Sequence, residues 1–234
     1  MLRDGTMEAT FETRAATVRH RVAEAASQAG RDPAEITIVA VCKTFPRSDV
    51  DAAYDAGLRV FGENRVQEIR DKFAVPLPDD AHLHLIGPLQ TNKAKQVIPY
   101  VDCIESLDRA RLVDTLAKEL QRQERSCSVM VQVNVAGEAQ KSGCEPGEAE
   151  ALVRQIMNVP ELRCEGLMTI APFVDDPETI RPVFRQLREL RDRLRESTGL
   201  PLPSLSMGMS GDFEVAIGEG ATHIRIGRAL FGAR

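Results

Sequence analysis

The chain has 234 residues, of which 43% are hydrophobic, and a formal net charge of −5 at pH 7. This length and composition fit one large domain or two small ones with a sizeable core. Acidic and basic residues are interspersed, which argues against the basic stripe of a nucleic-acid binder. The five cysteines are scattered without a CxxC pair, which argues against a disulfide framework or a zinc site and favours a reducing compartment.

The sequence pattern predicts neither a signal peptide nor a membrane-spanning segment. The first residues, MLRDGTMEATFETRAATV, contain no apolar core of a signal peptide, and no segment approaches 18 apolar residues. We therefore expect a cytoplasmic protein that binds neither membranes nor nucleic acid.

Strands and helices are predicted to alternate along the whole chain. A first helix over 7–29 ends at Gly30 and Pro33. Short apolar runs follow at 36–42, 58–61, 82–86, 101–105, 128–135, 163–168, 203–207 and 222–226. Stretches with helical periodicity lie at 47–56, 63–73, 89–98, 108–124, 145–158, 177–198, 211–219 and 228–232.

This alternation predicts a parallel sheet, and eight units in about 230 residues match the count and size of a TIM barrel. The alternative, an open doubly wound sheet, normally has a glycine fingerprint after its first strand, where this chain reads CKTFPRSD. We find no linker. We therefore predict an α/β protein in which residues 1–234 form a single (β/α)8 TIM-barrel domain with an extra N-terminal helix.

A lysine, Lys43, follows the apolar run of the first strand directly. A buried ammonium ion is costly unless it is paired, neutralised or used covalently. The simple interpretation is that Lys43 extends its amine into solvent from the strand end. The functional interpretation is a nucleophilic amine at the carboxyl end of the barrel, where active sites of this fold lie.

The loops after strands 7 and 8 contain the small residues of an anion site. Ser210 and Gly211 precede one predicted helix, with Asp212 as its N-cap, and Gly227 and Arg228 open the last one. Phosphate is commonly bound by these two loops in TIM barrels. Glycine and serine are also common in ordinary loops, so each loop alone is weak evidence, and the two together favour a phosphate.

Two further polar residues lie at strand ends. Arg225, in the apolar run HIRIG, is expected to point into the barrel or its mouth and to need an acceptor there. It could equally form an ion pair with an acid such as Glu63 or Glu165. Asn64 could contact a ligand or could cap the helix that follows it. A lysine, an arginine and a phosphate site together suggest pyridoxal 5′-phosphate, which needs an amine, a partner for its ring nitrogen and a phosphate site.

These residues belong to a series of motifs. In order, the chain contains AVCKTFP, FGENRVQE, HLIGPLQTNK, KSG, GLMTIAP and LSMGMSGDFEVAIGEGATHIRIGRALFG, which span nearly everything after the first helix. In these motifs the chain resembles the YggS/PROSC family of pyridoxal phosphate homeostasis proteins. The resemblance implies the barrel of bacterial alanine racemases, known as fold type III among pyridoxal phosphate proteins.

The resemblance also implies a set of cofactor-binding residues. It implies that Lys43 holds the cofactor as a Schiff base, that Arg225 faces the pyridine nitrogen, and that Ser210, Gly227 and Arg228 bind the phosphate. The set that we expect to bind the cofactor is Lys43, Asn64, Ser206, Ser210, Gly211, Arg225, Gly227 and Arg228, with no catalytic residue and no metal. Many members have Thr where this chain has Arg228, so a backbone contact is kept and a hydroxyl contact is lost.

The function implied by the resemblance is homeostasis of pyridoxal phosphate, through cofactor supply and the balance of amino and keto acids. Apo enzymes that receive the cofactor are the implied partners, and we expect a monomer or weak dimer. A carrier is favoured over a catalyst because a guanidinium at the ring nitrogen cannot accept a proton, which leaves the ring a weak electron sink. Neither Tyr54 nor Tyr100 is placed as a second base, and we expect no further domain after Arg234.

Two other functions stay open. The first is a single-domain amino-acid racemase that depends on pyridoxal phosphate, and the second is a barrel that binds another phosphate, such as a sugar-phosphate isomerase. A further hypothesis assigns Lys93, Lys95 and Lys141 to a weak secondary site that guides the anionic cofactor. The alternative for these lysines is an ordinary solvated surface.

Overall fold

The eight predicted strands form a closed parallel barrel. The computed structural model describes residues 10–138, 140, 142–173 and 176–232. Within them each strand pairs with the next, and the last closes on the first. The strands are β1 (Thr37–Val41), β2 (Val60–Glu63), β3 (His82–Leu85), β4 (Cys103–Leu107), β5 (Cys127–Gln132), β6 (Leu162–Met168), β7 (Ser204–Met209) and β8 (His223–Ile226). The predicted TIM barrel is confirmed, and the open-sheet alternative is wrong.

A helix follows every strand, and one more precedes the barrel. The helices are α1 (Phe11–Gln28), α2 (Arg47–Asp55), α3 (Val66–Lys72), α4 (Ala94–Val97), α5 (Ala110–Arg122), α6 (Ala149–Met157), α7 (Arg181–Thr198), α8 (Phe213–Gly218) and α9 (Arg228–Phe231). Short 3-10 turns lie at Pro33–Glu35, Thr91–Lys93, Pro146–Glu148 and Pro177–Ile180, and the last three lead into α4, α6 and α7. None of these helices is long and apolar enough to cross a membrane.

The extra helix α1 extends the outer helix layer. It begins after Thr10, whose hydroxyl accepts the N–H of Thr13 at 3.3 Å, as an N-cap residue should. Its buried stripe has helical spacing and packs against α8 and α9, with Arg21 paired to Glu214 of α8. The stripe consists of Ala15, Val18, Val22, Ala25 and Ala26. Residues 7–9 of the predicted helix lie outside the described residues.

Alternation along β1 explains its unbroken apolar run. Ala40 and Cys42 belong to the large core between the strands and the helices, whereas Val39 and Val41 pack with Ile86 in a separate cluster. Parallel strands are buried on both faces, so both sets must be apolar. The positions of Val39 and Val41 face the barrel interior, and the period of two brings Lys43 into the same phase.

The barrel interior differs from the apolar filling that is usual for this fold. The inward-facing positions of the strands include a small apolar cluster of Cys103, Met130 and Met168. They also include four buried polar residues, namely His84, Glu105, Ser206 and Arg225. None of the five cysteines, all of which the structure describes, forms a disulfide. The polar interior lies directly beneath the candidate site.

Candidate cofactor site

A cavity of about 960 Å³ opens at the carboxyl ends of the strands. This volume is typical of sites for small ligands and cofactors. The cavity is lined by residues at the ends of β1, β2, β3, β7 and β8 and in the loop after β6. Seven of the residues predicted to bind a cofactor line it, namely Lys43, Asn64, Ser210, Gly211, Arg225, Gly227 and Arg228.

Lys43 stands on the wall of this cavity, half-buried, two residues beyond the end of β1. It continues the inward phase of Val39 and Val41, which explains why the amine belongs to the cavity and not to the outer helix layer. Strand β8 is the direct neighbour of β1, with Val39 opposite Arg225. The chain therefore brings the predicted amine and the predicted guanidinium to one site from its two ends.

The backbone beyond Lys43 has an unusual conformation. Thr44 has a φ of 68°, in the left-handed region that β-branched residues rarely adopt. Its N–H donates to the Oε2 atom of Glu68 on α3 at 2.8 Å. Because the conformation costs free energy, neighbouring contacts must hold it, and the carboxylate of Glu68 is one of them.

A buried ion pair supports the same loop from behind. Lys72, at the end of α3, donates to the carboxylate of Glu63 and to the carbonyl oxygen of Cys42, the latter at 2.7 Å. The Glu63 side chain is fully buried and that of Lys72 is 8% exposed. Burial raises the pKa of Glu63 in spite of the attraction of Lys72. The residue before Lys43 is thus held by a charged side chain.

The rim of the cavity is formed by the loops after β7 and β8. The N–H of Ala229 donates to the Oγ atom of Ser210 at 3.4 Å, which ties the two loops together. A Cβ on Gly211 would meet nothing within 4 Å, so the backbone there is accessible. Arg228 is exposed at the mouth of the cavity. The rim combines a hydroxyl, accessible backbone and a cation, as an anion site requires.

Asp212 has a different role from the predicted one. It occupies the N-cap position of α8, but its side chain forms no capping bond to the helix. Its carboxylate instead accepts the N–H of Met209. Burial raises the pKa of Asp212. The carboxylate therefore stabilises the end of β7 beside the cavity.

Arg225 forms part of the cavity floor and is only 5% exposed. Its Nη1 donates to the Oγ atom of Ser206 at 2.6 Å and its Nη2 to the carbonyl oxygen of Thr169 at 2.7 Å. The predicted partner acids are wrong, because Glu63 pairs with Lys72 and Glu165 with Arg163.

Ser206, predicted as a cofactor contact, is fully buried behind the guanidinium, with its hydroxyl bonded to Arg225 and Glu105. The structure therefore brings Ser206 to Arg225 and not to the cavity surface.

Asn64 lines the cavity and is not the N-cap of the helix that follows. The N-cap position of α3 falls on Arg65, without a side-chain capping bond. The backbone at Asn64 is packed tightly against Gly87, where a Cβ would lie 2.3 Å from the Asn64 carbonyl oxygen. Glycine at this position allows the loops after β2 and β3 to meet beside the cavity.

A second cavity of about 580 Å³ adjoins the first and shares Asn64 with it. Lys93 lines it together with Arg65 and Arg109. Lys95 is exposed on α4. Lys141 lies outside the described residues. The proposed secondary lysine site stays a prediction.

The two tyrosines lie away from the cavity. The hydroxyl of Tyr54, on α2, donates to the Oδ1 atom of Asp80 at 2.6 Å, and Tyr100 packs against the outer core.

Several residues that line the cavity were not predicted from the sequence, among them Ile86, Ile170 and Phe173. Phe173 is 88% exposed at the mouth. A lone apolar residue in a loop gives no signal of this position in the sequence.

Comparisons with known proteins confirm the family resemblance. Residues 14–234 match the family described as alanine racemase, N-terminal domain. The chain is 44% identical over 221 residues to a pyridoxal phosphate homeostasis protein of Aquifex aeolicus, which covers 94% of this chain and 97% of the relative. A Pseudomonas aeruginosa protein of the same name is 43% identical over 225 residues, with 96% of each chain covered.

A solved structure of PipY from Synechococcus elongatus with PLP bound has a TM-score of 0.82 to this chain at 33% identity. It covers 95% of this chain and 100% of the PipY chain. These matches extend over the barrel and the extra helix together. The chain therefore belongs to the alanine racemase N-terminal domain family, together with the relatives named pyridoxal phosphate homeostasis protein.

Proposed function

We propose that this protein binds pyridoxal 5′-phosphate in the cavity at the carboxyl end of the barrel and serves the homeostasis of this cofactor in the cytoplasm. Relatives at 43% and 44% identity carry that function in their name, and the similar PipY structure holds PLP. In this chain, the observation that carries the proposal is that Lys43, Arg225 and the rim residues line a single cavity.

The chemistry of the cavity fits the groups of the cofactor. Lys43 supplies an amine for the aldehyde, and the rim of Ser210, Gly211, Gly227 and Arg228 supplies donors for the phosphate. Arg225 supplies N–H donors at the floor for an acceptor such as a ring nitrogen. Apolar side chains that include Val41 and Ile86 supply the surface on which an aromatic ring can pack.

When bound, pyridoxal phosphate supplies an aldehyde that reacts with amines and a ring that withdraws electrons. Lys43, beside the end of β1, would hold the group through its aldehyde, and the rim residues would hold its phosphate. Arg225 would donate hydrogen bonds to the ring, and its guanidinium cannot take up a proton from it. In the described part of the cavity lining, neither tyrosine nor histidine faces Lys43 as a second base. These residues favour holding and releasing the cofactor over turnover of an amino acid.

The experiment that tests the proposal is borohydride reduction of protein loaded with pyridoxal 5′-phosphate, followed by peptide mass spectrometry. We expect the adduct on Lys43 and its loss in Lys43→Ala. Lys118→Ala is the matched control, because Lys118 is exposed on the outer helix α5. An adduct found mainly on another lysine would contradict the assignment. A protein that binds sugar phosphates and no pyridoxal phosphate would favour the isomerase alternative.

Delivery of the cofactor to apo enzymes is part of the proposed function and needs its own test. We expect loaded protein to reactivate an apo enzyme that depends on pyridoxal phosphate, and Lys43→Ala treated in the same way to fail. Incubation with L-alanine and other L-amino acids distinguishes a carrier from a racemase, and D-isomers formed at a catalytic rate would contradict the carrier. Gel filtration of loaded protein should give a monomer or weak dimer.

A further inference from the structure

A chain of buried hydrogen bonds runs from Arg225 into the barrel interior. The Nη1 atom of Arg225 donates to the Oγ atom of Ser206 at 2.6 Å, and that hydroxyl donates to the Oε2 atom of Glu105 at 2.5 Å. The Oε1 atom of Glu105 lies 2.7 Å from the Nδ1 atom of His84. Glu105 and Ser206 are fully buried, and His84 is 7% exposed.

The direction of this chain depends on the charge of Glu105. A serine hydroxyl has one hydrogen, and here it points to the carboxylate, which leaves the oxygen to accept from Arg225. Burial by itself would raise the pKa of Glu105. The hydrogen bond and charge of His84 and the charge of Arg225 outweigh burial and lower the pKa of Glu105 to about 2. Glu105 is therefore an anion throughout the neutral range.

The interior anion is the main counter-charge of the cavity cation. Burial lowers the pKa of Arg225, and the attraction of Glu105 and then of Asp212 opposes this. Asp212 is bonded to the N–H of Met209. His223 stacks on His84 with 6.1 Å between ring centroids, and burial lowers the pKa of His223 to about 4, so it adds no charge at neutral pH.

We propose that Glu105 is a positioning residue for the cofactor cavity. Acting through Ser206, its carboxylate balances the charge of Arg225 and turns one N–H of the guanidinium inward. The carbonyl oxygen of Thr169 takes a second N–H at 2.7 Å. The guanidinium hydrogens that these two bonds do not use are left for an acceptor in the cavity, which Arg225 lines. The pairing of Glu105 with Arg225 stands on these contacts, whereas its effect on a cofactor rests on the proposed function.

The first test uses the protein without cofactor. Glu105→Gln leaves Arg225 as a buried cation without its main counter-charge, and we expect the folding equilibrium constant near pH 7 to fall at least about tenfold. The double variant Glu105→Gln/Arg225→Met, which also removes the buried cation, should regain most of the lost stability. Losses that multiply independently in the double variant would overturn the pairing. If Glu105→Gln does not fold, the folding of the double variant decides the same question.

The second test uses protein loaded with pyridoxal 5′-phosphate and follows its visible absorption during a pH titration. In Glu105→Gln the uncompensated guanidinium should disfavour a further proton on the bound cofactor and lower the titration midpoint by about one pH unit. Ser206→Ala keeps the carboxylate and should shift the midpoint less, in the same direction. Glu165→Gln, whose carboxylate pairs with Arg163 and not with Arg225, is the matched control and should not shift it.

The outcomes separate the two proposals. An unchanged midpoint in Glu105→Gln would overturn the positioning role, even if the variant is unstable. Equal shifts in Glu105→Gln and Glu165→Gln would overturn it as well, because a carboxylate that does not reach Arg225 would then have the same effect. A parent protein that does not bind pyridoxal phosphate would overturn the proposed function, while the unfolding measurements still decide whether Glu105 pairs with Arg225.

Discussion

Replacing Lys72 with methionine should reveal the cost of the ion pair behind Lys43. Lys72 donates to the carboxylate of Glu63 and to the carbonyl oxygen of Cys42. Methionine keeps an unbranched apolar stem and removes the charge and the donors. The variant therefore leaves a fully buried carboxylate without its ammonium partner, while the surrounding packing changes little.

The size of the destabilisation depends on whether the Glu63 carboxyl stays charged or becomes protonated in the variant. An unpaired buried charge costs about 3–5 kcal/mol. Protonating the carboxyl instead costs about 1.4 kcal/mol for each pH unit above its ordinary pKa, or about 3.7 kcal/mol near pH 7. The lost bond to the Cys42 carbonyl adds about 1 kcal/mol at any pH. Lys72→Met should lose about 4–5 kcal/mol near pH 7 and about 2 kcal/mol near pH 5.

The pH trend has a definite sign. Burial already raises the pKa of Glu63 in the parent, and the loss of Lys72 raises it further. A carboxyl with a raised pKa in the folded state favours folding at low pH and loses that contribution as the pH rises through the folded pKa. Urea unfolding at both pH values measures the effect. A loss independent of pH would refute the reasoning, and so would a double variant Lys72→Met/Glu63→Gln no more stable than the single one.

Three further changes test other parts of the structure. Gly87→Ala puts a Cβ 2.3 Å from the backbone oxygen of Asn64, so urea unfolding should show a loss above about 2 kcal/mol. Burial acts to raise the pKa of Glu219, but the hydrogen bonds from Arg185 and Arg181 lower it. Its stabilising contribution is therefore present at neutral pH and is lost as the pH falls through the lowered pKa. In Glu219→Gln the free energy of unfolding should depend less steeply on pH in the acid range. Arg228→Ala should weaken binding of pyridoxal phosphate only about five-fold in a titration, because the side chain is exposed.

The elements of the fold and the residues around the cavity could be predicted because their signals are local. A period of two along β1 and β8 decides which residues face inward, and this brought Lys43 and Arg225 to one site. The rim followed from the small residues in two loops whose place in the fold is general. Each of these inferences needs only a short window of sequence.

The partners of Arg225 could not be predicted because they depend on register around the barrel. Ser206 and Glu105 are 101 residues apart, on β7 and β4, and only the closed barrel brings them together. The nearest candidates in the sequence pattern, Glu63 and Glu165, are taken by Lys72 and Arg163. Asn64 failed as an N-cap by one position, which is the usual uncertainty of helix ends.

The carboxylate of Glu68 should affect the backbone conformation of Thr44, next to Lys43, more than the free energy of unfolding of the protein. Its bond to the N–H of Thr44 is charge-assisted, but the side chain is 24% exposed, so we estimate its contribution at about 1 kcal/mol. The left-handed conformation of Thr44 costs about 1–2 kcal/mol. Without the carboxylate, Thr44 can leave the left-handed conformation. The release of its backbone strain then offsets the lost hydrogen bond.

Glu68→Ala should therefore change the free energy of unfolding by less than about 1 kcal/mol, whereas hydrogen exchange at the Thr44 amide should become at least about tenfold faster. Glu68→Gln keeps an acceptor oxygen and should retain most of the protection. Thr44→Gly relieves the same strain without removing the acceptor, so it should not lower stability and should keep the amide protected. A loss above about 2 kcal/mol in Glu68→Ala with an unchanged exchange rate would mean that Glu68 stabilises α3 and not the backbone beside Lys43.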